Sequence, residues 1–557
     1  MALTFVNQLY LVPASLASFF VCYHAQPEYF HALSTSGVVL NFIFLHLILW
    51  AIFILEIYPR FICPLRSLPA PKGGYPLVGY GFSRFRKPVG SDHLRFIRDV
   101  PNTGLIRYRG FFNKNNILLV SAEALSEVLV KRPYDFVKND GARDFMSAIL
   151  GKGLVTVEGD VHKFQRKRLL PSFGFRSIKE LYPLFWKKSA QLVQCMEADL
   201  FQTSEKGAEA ITDMNFWSTK VTLDMIGVAA LGRDFNTLEN SDDILVQSYE
   251  ELLDPTPGKI ALYILTSCQL PFLNKFIPGK VEKRFHLATA TLRETCFNFL
   301  REKRHDLASD KGISTDVLTK LIETNEFADI ELVDQLLTFI AAGHETTSST
   351  FAWVTYLLAR HPEIQSCLRE ELRTHIPRDL IAEDIDISTL LEGLPLLNGV
   401  INESLRLYPT VPLTMRKPVK PTTILGQHIP MGTEIFIVPW SINRSPETWG
   451  PTSEVFNPER WIDTTTGKPN NTGGAASNYS IMTFLHGPHT CIGQGFAKGE
   501  LRSLAAHVVA AFEIAMAYPE KTPIPAGLVT TKPEGGMWVK LRRVEGSSKK
   551  PKQNALT

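Results

Sequence analysis

A chain of 557 residues with 59 basic and 56 acidic side chains carries a net charge of only +3, and no basic stripe is interleaved with aromatics, which argues against nucleic acid as a partner. Its 45% hydrophobic and 10% aromatic content supply a large core. The length would allow several domains, yet no Gly/Ser-rich linker or charge block divides the middle of the chain, so one large domain behind an N-terminal anchor is expected.

In chain order, the first apolar stretch is Leu3 to Tyr23, weakened by Asn7, Gln8 and Pro13; it either crosses a membrane or lies in its interface. The stronger span is Gly37 to Tyr58, interrupted only by Asn41, His46 and Glu56 and long enough to cross a hydrocarbon core of about 30 Å as a helix. No Lys or Arg precedes Arg60, after which Arg60, Arg66, Lys72, Arg84, Arg86 and Lys87 follow quickly. The positive-inside rule therefore puts the bulk of the chain in the cytosol, and the missing basic leader argues against a cleaved signal peptide. The Pro/Gly run from Leu68 to Gly79 cannot continue a helix and reads as a stiff hinge. The expected divisions are an anchor at 1–60, a hinge at 61–80, a main domain at 81–543 and a disordered tail at 544–557.

Ile330 to Arg360 has helical periodicity and should stop where His361-Pro362 forbids continuation. Within it, Ala342-Gly343-His344-Glu345-Thr346-Thr347 places a glycine and two threonines mid-helix, where they weaken helix propensity. His344-Glu345 also opens the zinc-protease pattern H-E-x-x-H, but position 348 is serine and the second ligand is missing. Further on, Glu403 and Arg406 stand three apart on one face of a helix ending before Pro409, a spacing that alone usually means a solvated pair. Ile462 to Tyr479 is polar and reads as a solvent loop.

The stretch Phe484 to Gly493 is the most informative. It presents Cys491 on a glycine-pinned loop before a helical pattern, which is how a protein offers a thiolate to heme iron. Gly487 and Gly493 would permit the backbone conformations that aim main-chain N–H groups at the sulfur and let a porphyrin lie close, and Phe484 would shield the proximal face. The seven cysteines (Cys22, Cys63, Cys195, Cys268, Cys296, Cys367, Cys491) are odd in number, scattered and without a C-x-x-C pair, so a disulfide framework is not expected and a reducing compartment is favoured.

On these motifs the chain resembles the cytochrome P450 family, of a membrane-anchored, microsomal and fungal type. The resemblance covers nearly everything after residue 65. It implies a mainly α (α+β) fold: a large helical domain with a smaller β-rich subdomain, preceded by the transmembrane segment or segments. It implies heme b (iron protoporphyrin IX) bound through Cys491, and a helix passing over the distal face with an unwound turn that makes a groove for dioxygen. There Glu345 and Thr346 would be an acid and alcohol passing protons. Asn457-Pro458-Glu459-Arg460-Trp461 resembles the segment whose arginine completes a buried network, so that Glu403, Arg406 and Arg460 would hold the loop carrying Cys491. His162, Arg166, Arg416 and His489 match positions that contact the heme propionates, although His489 stands where most members have arginine and makes the charge there depend on pH.

The implied activity is a heme-thiolate monooxygenase inserting one oxygen atom from O2 into a lipophilic small molecule in secondary-metabolite biosynthesis. Electrons would come from NADPH through a separate NADPH-cytochrome P450 reductase, with cytochrome b5 as a further partner, at the endoplasmic reticulum membrane with the catalytic domain facing the cytosol. No P-loop and no G-x-G-x-x-G after a strand marks a reductase in this chain. Thr338, Ala341, Ala342 and Val411 to Leu413 would wall the pocket, with Phe145, Met146, Ile149, Leu150 and Leu528 to Thr531 either joining it or serving as ordinary core. The competing readings are a heme-thiolate isomerase or dehydratase needing neither dioxygen nor reductase, and a heme protein that only senses or binds.

Overall fold

The apolar run after the first span forms helix α1 (Thr35–Ile52), which continues through wider π-type turns from Phe53 to Ile62. The helix therefore outlasts the span expected to end at Tyr58. Pro59 removes one N–H, and the Leu55 carbonyl one turn before it accepts from Asn113 Nδ2 at 2.9 Å instead; the helix ends where Cys63 N–H donates to the Tyr58 carbonyl at 2.8 Å. The segment Leu40–Ile62 is long and apolar enough to cross a membrane by length and composition. Its imidazole is satisfied locally, with His46 Nδ1 2.9 Å from the Phe42 carbonyl oxygen and Nε2 3.3 Å from Ser18 Oγ.

The computed structural model describes residues 17–18, 20–21, 24, 35–201, 208–240, 248–249, 251–252, 256–267, 279–309, 316–377, 385–527 and 529–544. Most of the first apolar stretch, Leu528 and the tail from 545 onward lie outside these residues.

The hinge is tied down: Arg107 N–H donates to the Pro69 carbonyl (2.8 Å) and Tyr80 N–H to the Arg109 carbonyl (2.6 Å). Gly79 has φ +54°, and a Cβ there would sit 2.2 Å from the Arg109 carbonyl oxygen, so only glycine allows this approach.

The strands are short: β1 (Leu105–Arg109), β2 (Asn115–Leu119), β3 (Phe136–Val137), β4 (Glu209–Asp213), β5 (Thr414–Pro418), β6 (Thr422–Ile424), β7 (Gln427–Ile429), β8 (Glu434–Ile437), β9 (Phe512–Met516), β10 (Pro525–Ala526), β11 (Lys532–Pro533) and β12 (Trp538–Arg543). The main sheet runs β1-β2-β8-β5-β3, antiparallel except for the parallel β2/β8 pair, and a second sheet runs β4-β12-β9. The β6/β7 hairpin turns on Leu425 and Gly426, both at positive φ, the turn that matches strand twist.

Helices make up most of the rest. Those that position the site are α2 (Gly159–Leu169), α3 (Met214–Ile226), α4 (Asp329–Arg360), α5 (Pro395–Leu407) and α6 (Gln494–Ala511). Helix α4 packs against α3, α5 and α6 in the main core, and most of its residues are buried. Its stop at Arg360 and the stop of α5 at Leu407 fall where Pro362 and Pro409 require.

Candidate heme-thiolate site

The loop before α6 is shaped by its own backbone. Cys491 N–H donates to the Phe484 carbonyl at 2.8 Å, Thr490 Oγ1 donates to the Phe484 and Leu485 carbonyls, and Leu485 and Gly487 both take positive φ. At Gly487 (φ +73°) an added Cβ would stand 2.0 Å from the Leu129 carbonyl oxygen, so glycine is obligatory. Gly493 aims its N–H at the sulfur as expected, but no glycine-only conformation is needed for it. Its φ of −88° suits any residue, and its missing Cβ would point beside the sulfur, 4.0 Å from Cys491 Sγ. What glycine keeps open there is space next to the thiol, not a special backbone conformation.

Cys491 is exposed, although atoms of the fold crowd around it. Burial pushes its thiol up from the ordinary value, opposed by the Gly493 N–H and the Arg166 guanidinium. Arg166 Nη1 donates to the Thr490 carbonyl at 2.8 Å, so this arginine braces the loop next to the sulfur.

The loop is anchored from behind by a buried ion-pair network. Arg406 forks onto Glu403 (Nε to Oε2 and Nη2 to Oε1, both 2.8 Å), Arg460 Nε donates to Glu403 Oε1 at 3.0 Å, and Trp461 Nε1 donates to Oε2 at 2.9 Å. Glu403 and Arg406 have no solvent exposure. The remaining guanidinium N–H groups reach the Asn443, Ser453 and Val455 carbonyls, while Asn443 in turn accepts from Met482 N–H and donates to Thr483 Oγ1. The spacing of Glu403 and Arg406, read alone as a surface pair, is thus wholly internal.

A second cluster gathers His162, Arg416 and His489. His162 stacks on His489 with centroids 4.3 Å apart, and its Nδ1 lies 3.2 Å from Tyr134 Oη. Burial and then the neighbouring His489 lower His162 to about 3, and burial lowers His489 too. Arg416 is buried and donates to Thr414 Oγ1 and its neighbour's carbonyl. Lys138 and Glu158, which the sequence did not mark, complete the cluster through a 3.0 Å ion pair. Burial opposes ionisation of Glu158, but His489 and Lys138 outweigh it and hold the carboxyl at about 2. Burial and then Arg416 lower Lys138 to about 8.

On α4, Gly343 makes room for α3: a Cβ would meet Ile226 at 2.7 Å. The expected unwound turn is not present; α4 is helical from end to end. Thr346 Oγ1 donates back to the Ala342 carbonyl at 2.7 Å and Thr350 repeats the pattern to Thr346, which keeps the threonines inside the ladder. Ala342 is nevertheless exposed, with Gly343 and Thr346 half-buried, in the middle of an otherwise buried helix. The Glu345 carboxylate lies 3.6 Å from Lys532 Nζ. Burial raises its carboxyl, opposed by Lys532 and Thr530.

His344 faces Tyr249 and its Nδ1 lies 2.6 Å from the Ile340 carbonyl oxygen; among the described residues no three His, Cys, Asp or Glu side chains gather as metal ligands. The suggested pocket residues divide. Phe145 packs between Tyr263 and Phe285 as core, and the side chain of Thr338 faces Gly153.

The donor set fits heme. A soft sulfur is accessible within the fold, with the space beside it kept free by Gly493. Around the paired histidines, Lys138, Arg166 and Arg416 gather with Glu158 as the one paired carboxylate among the described residues, and His489 Nε2, 3.6 Å from Glu158 Oε2, has no closer polar partner there. Such a surplus of buried cations and donors suits two further carboxylates, as heme carries.

The cytochrome P450 family profile matches residues 71–539. The chain belongs to the cytochrome P450 family. It is 38% identical over 507 residues to the cytochrome P450 monooxygenase ptmK of Penicillium ochrochloron, covering 91% of this chain and 98% of that protein. It is 36% identical to the cytochrome P450 monooxygenase sphH of Aspergillus fumigatus, covering 92% and 94%, and 34% identical to the cytochrome P450 monooxygenase FUM15 of Gibberella moniliformis, covering 82% and 84%. The chain is therefore a P450 monooxygenase, a heme enzyme by family, of mainly helical fold with small sheets.

Proposed function

We propose that this P450 inserts one oxygen atom from O2 into a lipophilic small molecule of terpenoid, polyketide, prenylated indole or fatty acyl type, in fungal secondary metabolism. The observation that carries this reading is the accessible Cys491 sulfur in a helical core whose long, largely buried helix α4 carries an accessible patch at Ala342 and Thr346. Cys491 is the iron ligand, Gly493 keeps the space beside it, and Phe484 shields the loop side. Arg416, His162 and His489 receive the propionates, Arg166 braces the thiolate loop, and Glu403, Arg406 and Arg460 fix that loop from behind. Bound there, the heme supplies dioxygen activation, which a thiolate ligand favours. Thr346 presents its hydroxyl at the exposed patch, and Glu345, kept protonated to higher pH by burial, is the nearby proton reservoir.

Residues 1–60 serve as anchor, 61–80 as hinge and 81–543 as the catalytic domain at the endoplasmic reticulum, facing the cytosol. Electrons come from NADPH through a separate P450 reductase, with cytochrome b5 as a second donor. Microsomes containing the full chain, fed lipid extracts, should yield products heavier by one oxygen only when NADPH, reductase and dioxygen are all present. Product formed without dioxygen or reductase would overturn this in favour of an isomerase.

A further inference from the structure

Away from the heme-thiolate site, a cavity of about 380 Å³ lies where the apolar helix meets the sheet, lined by Arg60, Arg66, Arg107, Arg109, Tyr80 and the glycine-bearing hinge. Four arginines line this space, and among the described residues the one carboxylate paired with them is Glu56, 2.5 Å from Arg60. Arg66 donates to the Phe61 carbonyl and Arg107 to Asn115 Oδ1, but Arg107 Nε is buried without a partner, and the Arg109 side chain has no hydrogen bond or ion pair among the described residues. Like charges this close repel one another, so the arrangement is complete only with an anion between them.

We propose that this cavity binds the phosphate headgroup of an anionic glycerophospholipid and so sets the angle of the catalytic domain on the membrane. The shared chemistry is that of a phosphate mono- or diester; the position selects the lipid source. Arg60 lies inside the segment Leu40–Ile62, at its domain end, where the headgroup layer would be. Phe61, Ile62, Tyr75, Leu77, Phe82 and Phe112 are exposed on the helix end, the hinge, the turn after it and the β1–β2 turn, the composition expected of a surface that meets acyl chains. The walls are prearranged: Arg107 and Arg109 project from the same face of β1, and Tyr80 Oη donates to the Lys72 carbonyl at 2.6 Å. Burial and then the nearby Arg109 lower the Arg107 guanidinium, consistent with an uncompensated cationic site. The inference rests on the anchoring reading.

Isothermal titration of the full-length protein in neutral detergent tests it, with dioctanoyl phosphatidic acid, dioctanoyl phosphatidylcholine and inorganic phosphate as probes. Phosphatidic acid should saturate one site, with the other two probes at least about tenfold weaker. Arg109→Gln should weaken phosphatidic acid about tenfold and the Arg107→Gln/Arg109→Gln pair should abolish saturation, both with unchanged heme absorbance. Glu56→Gln, which frees Arg60, should tighten binding, a gain that misfolding cannot imitate. Absent saturation, or affinity indifferent to all three variants, overturns the site; inorganic phosphate binding as tightly as the lipid overturns the lipid assignment. Alkaline carbonate extraction separates the two readings, since a chain that stays in the membrane pellet keeps its anchor whatever the titration gives.

Discussion

The two sides of the cysteine loop are built on opposite terms. Behind it, Glu403, Arg406, Trp461 and Asn443 satisfy one another with short hydrogen bonds at zero or near-zero exposure, and the partly buried Arg460 joins them. Across the core on α4, Glu345 holds a looser 3.6 Å pair with Lys532, and Thr346 is half-buried with only a bond to its own helix. A metal ligand needs one geometry, so its support is over-determined; a proton path needs groups that can change partners, so its members are held lightly.

That contrast predicts unequal responses to substitution. Glu403→Ala strands two buried guanidinium groups and should cost about 3–5 kcal/mol, seen as a lower denaturant midpoint and loss of heme absorbance per chain. Full heme content in that variant would break the comparison. Gly487→Ala forces a Cβ into the Leu129 carbonyl at positive φ and should cost about 2–4 kcal/mol in the same unfolding measurement. Thr346→Ala should barely move stability, by less than about 1 kcal/mol, yet lower product per NADPH at least about tenfold while peroxide rises. Coupling unchanged from the parent would remove Thr346 from the proton path.

The smallest effect concerns Glu500 on α6, which is fully buried, has only a loose contact with the Thr347 hydroxyl among the described residues, and is held well above its ordinary value by burial, with that contact opposing. The folded chain therefore keeps a proton that the unfolded chain releases, and stability is lost as pH rises above the unfolded carboxyl range. Glu500→Gln removes that loss. Its thermal midpoint should exceed the parent's by about a degree or two, with the gap widening from pH 5 to pH 8; a constant gap would contradict the buried, protonated carboxyl.

Local signals were legible in the sequence where local physics decides. Pro362 and Pro409 marked the ends of α4 and α5, helical spacing gave both helices, and the glycines around Cys491 marked the loop. What depends on distant neighbours was not. Glu158 and Lys138 join His489 and Arg416 only through the fold, and Glu345 meets Lys532 from a late strand. Nothing in the Gly-His-Glu-Thr-Thr run says that back-bonding threonines keep the helix intact or that Gly343 makes room for Ile226. At Gly493 the backbone conformation is one that any residue adopts, and what glycine provides is the open space beside the sulfur.

The central claim is the bond from Cys491 to heme iron, and the reduced, carbon-monoxide-treated spectrum of the full-length protein tests it most directly. The account predicts the red-shifted Soret band of sulfur coordination in the parent and its loss in Cys491→Ser. A parent without that band, or a serine variant that retains it, would contradict the account.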